Sequence, residues 1–402
     1  MNSYTRSIYL ILVLLLTAFM IINPELTVNA SLDGLNLWFN VVFPALFPFF
    51  VAAELLVQLG FVHFLGVLLE PIMRPLFRLP GSASFVVAMG FTSGFPIGAV
   101  LTKNLYARKM LDGNEAERLV SFTNNSSPLF MLGAVAVGMF KLPVLAGYVI
   151  AVSHYLANLS VGLLWGRLAP SRYGLAAAHR KRSLLRSALY QLFTAHREQQ
   201  IGIGAMLGES IRKSINNILA VGGFIVIFSA ITQMLGAWGV IDFMARCLQQ
   251  MGALAHLSYS LACGISTGVF EMTLGARAIA ASESSLIQQL TATGIVLAWS
   301  GLSVIAQVMS MVAGVPVRFS FYVLSRFIQM ILAAVYTIVG YHLFLVERIA
   351  GFTLTGPLME TTSYPGLLVS VYVWPLAIAF LTLLLLSLLS TAIHRSSHPS
   401  RR

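Results

Sequence analysis

Eight apolar runs, each long enough to cross the hydrocarbon of a bilayer, constrain this chain more than any other feature. They are Ser7–Ile22, Leu35–Gly60, Ala116–Phe140, Leu142–Leu168, Asn216–Leu235, Leu286–Val312, Phe319–Val346 and Leu367–Leu389. About 20 apolar residues in a helix span roughly 30 Å of hydrocarbon, and no water there can satisfy exposed peptide groups. The chain must therefore close its backbone hydrogen bonds as helices. Only 10% of its 402 residues are charged, and mean hydropathy is +0.83. A soluble globular chain carries about 25% charged residues. The expectation is an all-α, polytopic membrane protein with about eight transmembrane helices.

The net charge of +11 invites a nucleic-acid reading, but the basic residues lie between the apolar runs, as the positive-inside rule requires. No nucleic-acid partner is expected. Cys247 and Cys263 form neither a CxxC pair nor a zinc spacing,. Phosphate-loop, HExxH and GxSxG signatures are absent from the sequence,. The chain is not expected to be an enzyme, and no cofactor or metal is expected.

Two further apolar stretches, Gly81–Leu101 and Ser258–Ala281, are interrupted by Gly, Ser, Thr and Pro. Non-helical backbone at membrane depth is tolerated where protein or a water-filled cavity covers it, so both read as re-entrant hairpins. With the N-terminus inside, 21 Lys and Arg residues fall on the cytoplasmic side, Arg326 among them, and 4 (Lys141, Arg246, Arg277 and Arg348) on the other. This split places both termini in the cytoplasm of a multi-pass cell-membrane protein. Val28-Asn29-Ala30 also has the character of a signal-peptide cleavage site, and cleavage would leave seven spans.

The hairpins share a pattern: Ala88-Met89-Gly90-Phe91-Thr92-Ser93-Gly94 and Ala262-Cys263-Gly264-Ile265-Ser266-Thr267-Gly268 both fit A-x-G-x-[ST]-[ST]-G. Their offset of 174 also carries Ser126-Ser127 onto Ser300-Gly301, and an offset of 176 carries Gly60 onto Gly236. The expected organisation is an N-terminal anchor (1–34), a first repeat (35–168), a basic linker (169–215), a second repeat (216–346) and a C-terminal helix with a basic tail (347–402). Three crossings per repeat make the two copies inverted in topology. In such architectures interrupted helices meet near the midplane, and their free helix ends bind a polar solute.

The candidate solute-binding residues follow from these interruptions. In the first hairpin they are Ser93, Gly94 and Pro96, where glycine permits a tight turn and proline cannot join a helix ladder. In the broken span that follows they are Asn124, Asn125, Ser126 and Ser127, an uncharged donor and acceptor run before Pro128; the bland alternative is helix-helix glue. The second hairpin contributes Thr267, Gly268, Glu271 and Thr273. Glu271 is an acid at membrane depth, open to solute or cation binding or to pairing with Arg277. Ser300 and Gly301 complete the set, with Trp299 beside them as a stacking or packing residue. Glu54 reads as a lone acid within a span, open to protonation, and His154 with Asn158 as an interhelical hydrogen-bonding pair.

Phe47-Pro48-Phe49-Phe50, Ser93-Gly94-Phe95-Pro96-Ile97-Gly98, the segment Ser121–Phe130, and Gly268-Val269-Phe270-Glu271-Met272-Thr273-Leu274-Gly275 resemble the YlbJ-type sporulation integral membrane proteins. That family carries a nucleoside-recognition gate domain similar to the core of concentrative nucleoside transporters. The resemblance implies a role in endospore formation, specifically cortex assembly. Phe95-Pro96 stands where the nucleoside transporters place an acidic residue. The function expected is transport or binding of a small polar solute, such as a nucleoside-like or cortex-precursor molecule, at the interface of the repeats. The alternative is a scaffold acting through the basic loop Arg167–Lys213. The expected partners are the bilayer, the solute and further copies of the chain, with Na+ or H+ coupling left open.

Overall fold

The computed structural model describes residues 3–141, 144–169, 187–190, 192, 202–253 and 256–345. The expected eighth span, Leu367–Leu389, and most of the basic linker lie outside the described residues. Among those described the fold is wholly helical, without strands. The first helices are α1 (Ser3–Ile22), α2 (Pro24–Leu37), a π-helical stretch Trp38–Val42, α3 (Phe43–Gln58) and α4 (Phe61–Phe77). They are followed by α5 (Ala83–Ser93), α6 (Ile97–Ala107), α7 (Gly113–Thr123), a π-helix Leu129–Met139 and α8 (Val144–Leu168). Beyond the linker run α9 (Ile203–Ala237), α10 (Val240–Met251), α11 (Tyr259–Phe270), α12 (Met272–Ala280), α13 (Leu286–Trp299), α14 (Gly301–Met311) and α15 (Phe319–Phe344).

Among the described residues four segments are long and apolar enough to cross a membrane: Ala146–Leu168, Ile203–Ala237, Leu286–Met311 and Phe319–Phe344. The number rises to six if two bent pairs each count as one span: Leu10–Ile22 with Pro24–Asn40, bent by 106°, and Leu46–Gln58 with Phe61–Phe77, bent by 82°. Pro24 starts the second helix of the first pair, where its missing N–H costs nothing. Gly60 makes the other bend with φ of 78°, a left-handed conformation that glycine adopts without a Cβ clash.

The same order of elements occurs on both sides of the linker. A long helix turns through a left-handed glycine into an amphipathic helix, then comes a helical hairpin, an interrupted helix and a closing helix. The counterpart of Gly60 is Gly239, with φ of 73°, which joins α9 to α10. Gly236, the partner expected from the sequence offset, lies inside α9.

Helix α9 begins 13 residues before the expected Asn216, so Glu209, Arg212 and Lys213 occupy its early turns rather than the loop. There Lys213 Nζ donates to Glu54 Oε1 at 2.8 Å and pairs with Glu209 at 2.9 Å, while Gln58 Nε2 donates to Glu54 and to Ser210 Oγ. Glu54 is thus an ion-paired link between α3 and α9, not a lone acid. The Lys213 side chain is 47% exposed, and such pairs contribute about 1 kcal/mol or less. A double-mutant cycle of Glu54→Ala with Lys213→Ala, followed by thermal unfolding, should give a coupling no larger than about 1 kcal/mol. A much larger coupling would show that Lys213 is effectively desolvated.

Candidate functional site

Helix α7 ends at Thr123, and the backbone of Asn124 is extended. Any helix end leaves its last carbonyls without intrahelical partners and carries partial negative charge. Here Asn124 Nδ2 donates to Val120 O at 2.8 Å, and its Oδ1 accepts from Ala99 N at 2.9 Å in the first turn of α6. Asn124 thereby ties the end of one half-helix to the start of another. Gly90 and Gly98 let the two arms of the first hairpin straddle Thr123 O, and Gly94, with φ of 85°, abuts Ser127.

The other bare carbonyls are met by Arg326, which is fully buried on α15. Its guanidinium donates to Asn124 O at 2.9 Å, to Ser121 O, and to Asn158 Oδ1 at 3.3 Å. The guanidinium carbon lies 5.3 Å from the Tyr322 ring centroid. Asn158 Nδ2 donates back to His154 O, and His154 Nε2 accepts from Ser126 N at 3.3 Å. These contacts close a ring around the break: Arg326, Asn124, Ser126, His154, Asn158. Arg326 therefore does not belong on the cytoplasmic side where the charge count put it. Its position eight residues into the apolar run from Phe319 was the signal: an arginine at that depth needs partners inside the protein.

Within this ring both amide atoms of Asn125 are buried and have no partner among the described residues. The same holds for the hydroxyls of Ser93 and Ser126, Nδ1 of His154 and Nε of Arg326. The adjacent asparagines thus differ in role. Asn124 is spent on helix ends, whereas Asn125 keeps its full hydrogen-bonding capacity.

In the second half the hairpin breaks at Glu271. Thr267 and Gly268 lie in the last turn of α11, where Gly268 packs against the backbone at Gly275 and against Val296. Glu271 Oε2 accepts from Leu274 N at 2.7 Å and caps the start of α12. Ser300, with φ of 71°, interrupts the span between α13 and α14, and Gly301 fits against Glu271 and Met272. The Ser300 hydroxyl is buried without a partner among the described residues, and Trp299 Nε1 donates to Val269 O at 3.0 Å, which gives Trp299 a packing role.

A cavity of about 340 Å³ reaches this second break. Glu271 and Thr273, both buried, line its inner part. Its other polar walls are Ser229 of α9, Arg277 of α12, and Asp33 and Asn36 of α2. Of the candidate residues this cavity takes in Glu271 and Thr273; the first-half set packs around its own break. Asp33 and Asn36 were not among the candidate residues because they sit at the start of an apolar run, far in sequence from either break, and only the packing of α2 on α9 brings them to the cavity; Arg277 was weighed only as an ion partner of Glu271. Close approach at Gly34, under which Val226 and Ser229 sit, makes that packing. Among the described residues no group of three or more His, Cys, Asp or Glu side chains gathers as a metal site.

Outside the spans, Arg318 binds both carboxylate oxygens of buried Glu117 at 2.7 to 2.9 Å. These hydrogen bonds hold the guanidinium above its ordinary pKa range. They join the start of α15 to α7.

Apolar helices of spanning length, interrupted helices and a polar cavity between them define an integral membrane protein. Residues 39–153 match the family described as Gate, nucleoside recognition. The chain is 40% identical over 330 residues to the sporulation integral membrane protein YlbJ of Bacillus subtilis (strain 168), covering 80% of this chain and 79% of that protein. It belongs to the YlbJ family of sporulation integral membrane proteins. It is also 28% identical over 153 residues to an uncharacterized protein of Alkalihalophilus pseudofirmus, covering 37% of this chain and 31% of that one. A solved structure of a substituted CNTnw in an outward-facing state aligns with 81% of this chain and 86% of its own at 13% identity, with a TM-score of 0.39.

Proposed function

We propose that this protein binds a small polar solute at its interrupted helices and moves it across a membrane of a spore-forming cell, in support of cortex assembly. The observation that carries the reading is the 340 Å³ cavity ending at the break in the second hairpin, with the buried carboxylate of Glu271 inside it. An acid at membrane depth costs roughly 2.5–3.5 kcal/mol on insertion scales. A capping hydrogen bond alone is supplied as well by Ser, Thr or Asn. The volume falls in the range of small-molecule sites, and the unpartnered Asn125 amide at the first break offers a second recognition group. The reading is of a binding and transport protein without a cofactor. Both termini are on the cytoplasmic side, and Na+ or H+ gradients are the candidate driving forces.

Thermal unfolding of the purified chain against nucleosides, amino sugars and peptidoglycan precursors, with and without sodium, tests this. A ligand that prefers the folded state raises stability by about 2.7 kcal/mol at 100 times its Kd. One compound should raise the melting temperature of the wild type, and Glu271→Ala and Asn125→Ala should each remove that shift while staying folded. A shift equally large in both variants would reject the site. No shift from any compound in well-folded protein would reject the solute class.

A further inference from the structure

The cavity lies far from the basic face of the molecule. Arg118 donates to the Arg78 carbonyl at 2.8 Å, and neighbouring Glu117 holds Arg318. Met139, on the cavity wall, is 21 residues further along the same interrupted helix than Arg118. Helix α9 repeats the pattern. Lys213 and Glu209 pair near its start, within the field of Arg108, whereas Ile225 and Ser229 reach the cavity. At 1.5 Å per residue these two lie about 18 and 24 Å beyond Lys213.

The cavity is also graded. Asp33, Asn36 and Arg277 are exposed, while Glu271 and Thr273 are buried. Side chains charged with both signs face water in preference to hydrocarbon, so the exposed group marks a mouth and the buried group a floor. Lys and Arg accumulate on the cytoplasmic side of a membrane protein, and the mouth, apart from its own Arg277, is at the opposite end from the cluster that holds Arg118, Lys213 and Arg318.

We propose that the cavity opens to the non-cytoplasmic aqueous phase, with Asp33 and Asn36 on one side of its mouth, Arg277 on the other, and Glu271 at its floor. Helix α2 would then be one wall of the solute pathway, although it precedes the region matched by the Gate family. The inference rests on the reading of this cavity as the solute site and adds the side from which solute enters or leaves.

The test uses the full chain with Cys247→Ser and Cys263→Ser, expressed in bacterial cells and treated with a membrane-impermeant sulfonated maleimide. Asp33→Cys and Arg277→Cys should be labelled in intact spheroplasts, and Arg318→Cys only after permeabilisation. If Asp33→Cys does not yield folded protein, Asn36→Cys takes its place. Labelling at the mouth positions only after permeabilisation, or at none of them under either condition, would overturn the proposal. So would labelling of Arg318→Cys in intact spheroplasts. Labelling requires no solute, so the two readings fail separately: expected labelling without solute-dependent stabilisation removes the transport reading and leaves the mouth, and the reverse removes the mouth alone.

Discussion

Arg326→Ala should be the most damaging single substitution in the described part of the chain. The guanidinium is fully buried, and its charge is met by the carbonyls of Ser121 and Asn124, the Asn158 amide oxygen and the Tyr322 ring. No carboxylate takes part in these contacts. The negative potential that holds it comes from the C-terminal end of α7, where aligned peptides place about half an electron charge. Truncation leaves three acceptors unpaired at buried positions, each costing about 1–3 kcal/mol. We expect a net loss of about 3–5 kcal/mol, the range seen when one partner of a buried charged contact is removed.

In a thermal melt of detergent-purified protein that loss corresponds to a fall of about 5 °C, together with a reduced folded yield. Arg326→Lys should recover part of it, because a point charge still meets the helix end but cannot fork to three acceptors. If Arg326→Ala melts within about 2 °C of the wild type, the contacts around the break contribute little and this account of it is wrong.

Gly98→Ala should also have a large effect. Helix propensity alone favours alanine over glycine by about 0.8–1 kcal/mol, so a substitution free of contacts would stabilise. At Gly98, however, the added methyl would come within 2.5 Å of Thr123 O, and the neighbouring Gly90 faces the same oxygen. That oxygen belongs to the backbone at the break, which Asn124 and Arg326 hold in place, so it cannot easily retreat. Overpacking a fitted interior costs about 1–3 kcal/mol, and the first hairpin would have to move off the broken span. We expect Gly98→Ala to destabilise the protein and to weaken solute-dependent stabilisation as well, since Ser93 and Asn125 flank the same contact. Gly208→Ala on α9, where nothing lies within 4 Å, provides the control and should be neutral or stabilising. Equal effects at the two sites would mean that propensity, not packing, decides, and that the close contact is absent.

Much of the fold was legible in the sequence because its causes are local. Pro96 and Pro128 impose breaks through their own backbone restrictions, and the interruptions at Ser93–Pro96, Asn124–Pro128 and Ser300-Gly301 occur where those residues predict. In the second hairpin Gly268, the match of Gly94, is used for close packing against Gly275, and the break falls at Glu271. The beginning of α9 was missed since Glu209, Arg212 and Lys213 look like loop residues until the pairing of Lys213 with Glu54 of α3 is known.

The candidate site was legible in part. Glu271 and Thr273 line the cavity, and both amide atoms of Asn125 are buried without a partner among the described residues. Asn124 could not be separated from Asn125 by composition. The difference arises from Ala99 and Val120, whose backbone groups stand within reach of one side chain and not of the other. Arg326 was counted as a surface charge because a charge census weighs sequence position and not burial. A helix end 200 residues earlier in the chain makes its burial tolerable.

By itself the sequence determined that this chain folds in lipid as interrupted helices, since spanning hydropathy and backbone restriction are properties of short stretches. Only the tertiary structure decided which polar residues stay available. Whether an amide or a guanidinium is spent on a helix end or left without a partner depends on groups brought together from distant parts of the chain, through packing at residues such as Gly34 and Gly98.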